Sequence, residues 1–575
     1  MTNKLTFITL LLLVGIMVAA CGPTPQPQIV KETVVVTEKE TVEVVQVVNQ
    51  EVPVEVTSIV EKEVTAVPPQ GEPATLTIGV KKLFTTLNPL LVGGGWPMRY
   101  LVFDRIGDID TVTSIRPGLA ESWEPNEDRT VWTFKIREGI TFHDGTPCTA
   151  EEIAWSINWM IENQFPAISA YVGGFKEAAA LDSTTLQLTL EAPAREIVAS
   201  KLTFLWILPP SVWKDLSPDE AKAKEDMETM VGTGPYRLAD YAQDEYVVFE
   251  AFDGYWRGRP AVNRVVFKMY TTDEAAVQGL LAGEIDVLSE VPWHAIDTLQ
   301  KTNDVKVVTL PMLWTHYLMV NSYEGGTQPE SLKDPVVRKA IAHAIDKQKI
   351  ADVVYLGYGE PGTIPTDPDF GDLHNPNIED LAFDVQEGNR LLDEAGYLDG
   401  DGDGIREWSD GSPLEYRLYT DEGVTGVRKL EIISEGLAQI GISTTPQELD
   451  SMMTLYPDYD FDLAIWGWKW DPDVEESLRS YTCAQAPDGW NDCGLCDPQY
   501  DELYARQSDP MLSDEERQDV IWQMQEIFYE SRCYIVLTYP PSVSAYRTER
   551  FAHWNTTDYS TLWFPKGLLQ LQPVR

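Results

Sequence analysis

Three observations predict an α/β chain folded into two or three packed bodies. Some 500 residues beyond an unusual N-terminal stretch, in a chain that is 43% apolar overall, are too many for a single core. Segments that alternate every second residue, such as Thr75–Val80 and Leu186–Leu188–Leu190, interleave with segments of helical period. The forty residues from Ala120 to Trp159 then show the alternation at work. Trp132, Phe134 and Ile136 alternate with polar residues as in a strand with one buried face, and Asp144-Gly145-Thr146-Pro147 supplies a turn. Thr149 with Glu152 forms a capping box that opens a helix buried along Ile153, Ile157, Met160 and Ile161.

The elements before and after follow the same logic. At the N-terminus, Lys4 precedes an apolar run from Leu5 to Ala20 that ends Val18-Ala19-Ala20-Cys21. This reads as a secretory signal, because the run is short for a membrane span and small residues precede the cut. Residues 22–72 hold no aromatic side chain and repeat Val against Glu and Lys, as in KETV at 31 and 39, so they lack material for a core. A tether is expected, reaching on the order of 160 Å if fully extended.

Beyond it, Thr75–Val80 is a strand, followed by the turn Leu87-Asn88-Pro89-Leu90. Gly232-Thr233-Gly234-Pro235-Tyr236 reads as a hinge-like crossing, since Gly reaches angles closed to other residues and Pro fixes the exit. Residues 273–288 read as a capped helix leading into a short strand. Met312–Asn321 reads as an aromatic-rich strand, and Asp334–Asp346 as a helix with Pro335 in its first turn. Phe461–Pro472, FDLAIWGWKWDP, is an alternating strand that delivers tryptophans and Asp471 to a loop.

The phrases AESWEP, TFKIREGITFHDGTP, TAEEI, GTGPY and DPVVRKAIAHAID together resemble the family 5 extracellular solute-binding proteins, the peptide, nickel and oligosaccharide receptors of ABC importers. The resemblance spans most of residues 75–545. It implies a two-lobed periplasmic-binding-protein type II fold with an extra inserted lobe, preceded by the signal peptide and extended tether. The implied division is 1–20 signal peptide, 21–72 tether, 116–232 inserted lobe II and 311–536 lobe III, with lobe I assembled from three separate segments, 73–115, 233–310 and 537–575. It also implies no enzymatic activity: a small-molecule solute, a peptide first and an oligosaccharide or metal chelate second, is captured between lobes and passed to ABC permease subunits. An adhesin or sensor that keeps the fold without a permease is the other alternative.

Cys21 matches the lipobox position of bacterial lipoproteins, which implies lipid attachment there and an extracytoplasmic location at the cell membrane. In peptide-binding relatives a carboxylate in the FDLAIWGWKWDP phrase pairs with the ligand's amino terminus, and Asp471 fills that slot. Trp468, Lys469 and Trp470 match positions lining the cleft, with Asn88, Tyr317 and Asn321 as further pocket candidates. The tryptophans equally suit stacking on sugar rings.

Asp399, Asp401 and Asp403, with Gly404, the Ile405 carbonyl, Glu407 and Asp410, follow the calcium-loop template. Asp410 is shorter than the usual Glu at position 12, and no paired loop is visible, so a structural calcium rather than a catalytic cofactor is expected. Cys483 is expected to pair with Cys493 or Cys496 in an oxidising compartment, while Cys148 and Cys533 stay unassigned. The formal charge of −47 argues against nucleic acid and anionic lipid head groups. Gly357-Tyr-Gly359-Glu-Pro-Gly362 follows a helix rather than a strand, so it is no nucleotide loop; no hydrolase motif appears, and a monomer is expected.

Overall fold

The computed structural model describes residues 74–574, apart from 93–95, 112, 311–313, 456–457, 470–471, 487–488, 557–561 and 563. The signal segment, Cys21 and the tether lie outside the described residues.

A seven-stranded sheet gathers strands from far apart in the chain. Its order is Val305–Leu310, Ser542–Arg547, Val287–Leu288, Thr75–Val80, Arg264–Met269, Tyr246–Ala251 and Tyr236–Ala242. The first strand runs parallel to Arg264–Met269 and buries Leu76, Ile78 and Val80. Asp286 secures that long-range closure: its Oδ2 accepts the Thr77 amide at 2.9 Å, and it pairs with Arg550, whose Nη2 reaches the Thr75 carbonyl.

A four-stranded antiparallel sheet, ordered Ala120–Pro125, Val131–Ile136, Thr185–Leu190 and Phe175–Asp182, carries the helix Ala150–Asn163. Trp132, Phe134 and Ile136 are buried as their alternation requires, and the Thr149–Glu152 capping box closes in both directions. Ile153, Ile157 and Met160 face the core, whereas Ile161 is half-buried.

The third sheet has six strands, ordered Glu360–Pro361, Tyr534–Tyr539, Trp314–Val320, Leu463–Lys469, Glu415–Thr420 and Ser443–Glu448. Both of its faces are covered. Leu318, Val320, Leu418, Leu463, Ile465, Ile535 and Leu537 pack with Val337, Ile341, Leu430 and Ile433 from the helices Pro335–His343 and Gly423–Ala438. The alternate residues Tyr317, Met319, Ala464, Tyr534 and Val536 join Val520, Ile521, Met524 and Phe528 from the helix Asp514–Ser531. The strand Tyr534–Tyr539 pairs with Trp314–Val320, so the chain leaves this sheet at Pro540-Pro541 rather than at the expected 536/537 boundary.

The glycines of Gly232-Thr233-Gly234 serve a purpose other than the one their sequence suggests. Neither has a positive φ. A Cβ at Gly232 would lie 2.1 Å from the Val102 carbonyl oxygen, and one at Gly234 2.5 Å from that of Leu101. Close backbone approach is therefore what excludes a side chain here. The Gly234 and Tyr236 amides donate to Val102 and Leu101 across the contact, and His143 closes it from the other side.

Candidate solute cleft

The strands Trp314–Val320 and Leu463–Lys469 pair antiparallel, with Tyr317 opposite Trp466 and Thr315 opposite Trp468. Strand alternation puts Trp466 and Trp468 on the same face as Tyr317 and Met319. Towards the end of that face the wall stays partly open. Trp466 and Trp468 are half-buried with ring centroids 6.0 Å apart, and Trp468 meets Trp490 edge-on at 5.1 Å. Trp490 is 41% exposed. The Trp468 indole donates to Asp492, whose carboxylate also accepts from the Tyr317 hydroxyl.

Two disulfides, Cys483–Cys496 and Cys493–Cys533, anchor the loop that carries Trp490 and Asp492. Further ties hold it: Asn491 Nδ2 donates to the Thr482 and Leu495 carbonyls, and the Ser322 amide donates to that of Cys493. The first bridge is one of the two pairings expected for Cys483. The second was unforeseen, because Cys493 and Cys533 lie 40 residues apart and meet through the fold alone. Cys148 is buried and free, and burial pushes its thiol well above its ordinary range.

The same face meets the rest of the molecule. Ile109 and Phe204 share one buried apolar cluster with Phe370, Tyr419, Met452 and Phe461, and Tyr171 stacks on Phe204 at 5.4 Å. Asp473, just past the tryptophan strand, is buried in a two-pronged pair with Arg517, at 2.7 and 3.1 Å. A cavity of about 360 Å³ lined by Glu121, Lys135, Ile136, Arg137, Glu138 and Trp256 shares no residue with this face.

Comparison with known proteins places this architecture. The family model "Bacterial extracellular solute-binding proteins, family 5 Middle" matches residues 114–488, about two thirds of the chain. The chain belongs to this family. Family 5 members are transport receptors rather than enzymes, so the protein is a solute-binding receptor of α/β, two-lobed periplasmic-binding type. It is similar to the oligopeptide-binding protein AppA of Bacillus subtilis, 26% identical over 64% of this chain and 68% of the relative. The structure of AppA with a nonapeptide superposes with a TM-score of 0.76, covering 88% of this chain and 100% of that one at 22% identity. The di/tripeptide-binding protein 2 of Pseudomonas aeruginosa is 25% identical over 76% of this chain and 83% of the relative. NikZ of Campylobacter jejuni, solved with Ni(L-His), gives a TM-score of 0.76 at 22% identity, covering 87% and 99% of the two chains. No helix among the described residues is long and apolar enough to cross a membrane.

Within this family 5 receptor the expected site residues fare unequally. Asp471 and Trp470 lie outside the described residues, as does the side chain of Lys469. Trp468 stands on the open aromatic face. Three expected pocket residues are instead sealed inside. Asn88 donates to the Ala221, Lys222 and Lys224 carbonyls, Asn321 donates to those of Tyr459 and Phe461, and the Tyr317 hydroxyl reaches Asp492; all three side chains are fully buried. Polar groups with burial this deep and internal partners hold loops together. Reading the strand's alternation from Trp466 places Tyr317 on the correct face but does not reveal that Tyr534, stacked edge-on at 5.0 Å, covers it. Trp490, Asp492 and Asp473 were missed; proximity to Cys493 was the one available hint for the first two.

A second buried polar group lies on the opposite face of the six-stranded sheet. Glu422 accepts from Lys429 and contacts His316 Nδ1. Burial works against its charge, but His316 and Lys429 outweigh this and hold the carboxylate well below its usual range.

In the 399–410 loop, the carboxylates of Asp399, Asp401 and Asp403 bring ligand atoms within 4.8 Å of one another. Asp399 accepts from the Gly402 and Gly404 amides, and Glu407 accepts from Gly400 at 2.8 Å. Asp410 bonds its own turn through Ser412. The Ile405 amide donates to Asp403, and Arg406 braces the loop on the Ile440 carbonyl.

Proposed function

We propose that this receptor binds short peptides between its two bodies and closes on them, shifting its population toward the form that delivers solute to an ABC permease. The observation that carries the reading is the partly open aromatic face of Trp466, Trp468 and Trp490. It lies on the body that meets Ile109 and Phe204, immediately before the Lys469–Asp473 phrase. Rings of this kind take up apolar peptide side chains, and a carboxylate at Asp471 offsets the desolvation of a ligand ammonium. The functions named for AppA and the Pseudomonas relative, oligopeptide and di/tripeptide binding, point the same way. Attachment through lipid on Cys21, a monomeric state and an extracytoplasmic position at the cell membrane complete the proposal. A structural calcium at Asp399, Asp401 and Asp403 is included in it, the donors being the hard oxygens that calcium prefers.

A second reading, an oligosaccharide or metal-chelate receptor, draws on the same tryptophans, which suit sugar rings, and on the Ni(L-His) complex of the Campylobacter relative. Mass spectrometry of small molecules released from the purified full chain separates the two. Calorimetry then compares peptides with free and acetylated amino termini on wild type and Asp471→Ala. A selective loss for the free amine supports the peptide reading, and equal losses sink it.

A further inference from the structure

We propose that Arg195 is a positioning residue that ties the body of the four-stranded sheet to the body of the six-stranded sheet, raising the share of closed clamp that solute then completes. Arg195 follows the last strand of the four-stranded sheet, and its guanidinium reaches across more than three hundred residues of chain. Nη1 donates to the Leu512 carbonyl at 2.6 Å, and Nη2 pairs with Asp514. The Arg195 side chain keeps 13% of its exposure, so its bond to the Leu512 carbonyl is shielded, whereas the Asp514 carboxylate it pairs with is open to solvent.

Both ends of the latch are braced. On one side Arg129 donates to the Ala194 and Arg195 carbonyls, and the Ala194 amide donates back to Arg129. On the other, Leu512 directly precedes the Ser513–Glu516 capping box that opens the helix Asp514–Ser531. The same helix supplies Arg517 to Asp473, two residues beyond Asp471. Glu196 is drawn into this group as well: burial raises its carboxyl, and the Asp473 charge raises it further. Arg195 and Glu196 therefore lie within electrostatic reach of the Asp473–Arg517 pair, which adjoins the solute-facing phrase. The apolar contact of Ile109 and Phe204 with the six-stranded body gives the latch a surface to close onto.

A charged hydrogen bond in a shielded setting is strong enough to shift a two-state clamp roughly tenfold. The inference rests on the reading that solute enters between the two bodies, yet its test needs no solute, so the two fail separately. Nitroxide labels are placed on the solute-free full chain at Glu177→Cys and Glu431→Cys, exposed positions on the two bodies. Distances between them are measured by double electron–electron resonance. In wild type a short-distance population is expected beside the long one, and Arg195→Gln is expected to lower the short-to-long ratio roughly tenfold. Asp514→Arg repels Arg195 from a side chain that is 99% exposed, and so tests the latch without touching the core. A shift in Arg195→Gln alone supports the latch and assigns it to the Leu512 carbonyl. Distance distributions for both variants that superimpose on wild type overturn the proposal.

Discussion

Acidification tests the crossing at Gly232–Gly234 through one side chain. His143 Nε2 faces the Gly234 carbonyl at 3.0 Å, while its Nδ1 accepts the Gly232 amide at 3.3 Å. This arrangement requires the neutral ring with its proton on Nε2. Burial depresses the imidazole from 6.5 to about 4, although the Gly234 carbonyl favours the charged form. The unfolded chain therefore takes up a proton as pH falls through 6.5, while the folded chain resists until about 4. The folded pKa is the lower of the two, so the contribution is present in full above pH 6.5 and is lost on acidification towards 4. At 1.36 kcal/mol per pH unit, the loss across that window is about 3 kcal/mol. Urea unfolding of wild type and His143→Gln at half-unit steps from pH 7.5 to 4 isolates it from the many carboxylates. The wild-type curve is expected to fall more steeply, closing the gap between the two by about 3 kcal/mol at the acid end. A gap that stays constant across the window refutes the reasoning and removes His143 as the titrating group.

Four further outcomes are expected. Gly234→Ala, which forces a Cβ onto the Leu101 carbonyl, should cost about 3 kcal/mol in denaturant unfolding, and an unchanged midpoint would show the backbones free to part. Arg517→Met strands the buried Asp473 carboxylate and should cost about 3–5 kcal/mol, with Arg517→Met/Asp473→Leu recovering some of it; a loss below about 1 kcal/mol would deny the burial. Cys493→Ser with Cys533→Ser should lower stability by about 2–4 kcal/mol and quench the ordered Trp490 signal in near-UV circular dichroism; unaltered spectra would free the loop from its bridge. Calcium should raise the melting temperature of wild type but not of Asp401→Asn, and equal curves with calcium and with chelator would dismiss the ion.

Legibility in the sequence tracked how local each signal was. The Thr149–Glu152 box, the Trp132–Phe134–Ile136 alternation and Pro335 in the first turn of its helix span a few residues each and stand as read, although that helix ends at His343, short of the expected Asp346, which instead caps the next helix. The Gly232 and Gly234 glycines answer a demand other than the one their sequence suggests: the glycine signature is the same whether φ or a neighbouring carbonyl requires it. Asn88, Tyr317 and Asn321 looked like pocket polar groups because sequence shows residue type but not what covers it. Their partners, Ala221, Asp492 and Tyr459, lie more than a hundred residues away in the chain.

By itself, the order of residues determined the alternation of strands and helices, the caps that start them, and the phrases that place the chain in its family. Those depend on hydrogen bonds and side-chain spacing within one turn or one strand. Tertiary structure alone decided the Cys493–Cys533 bridge, the Asp473–Arg517 pair, the burial of three polar side chains and the reach of Arg195 to Leu512. Each of these joins groups whose proximity arises only when whole faces pack, and no local pattern records which distant face will arrive.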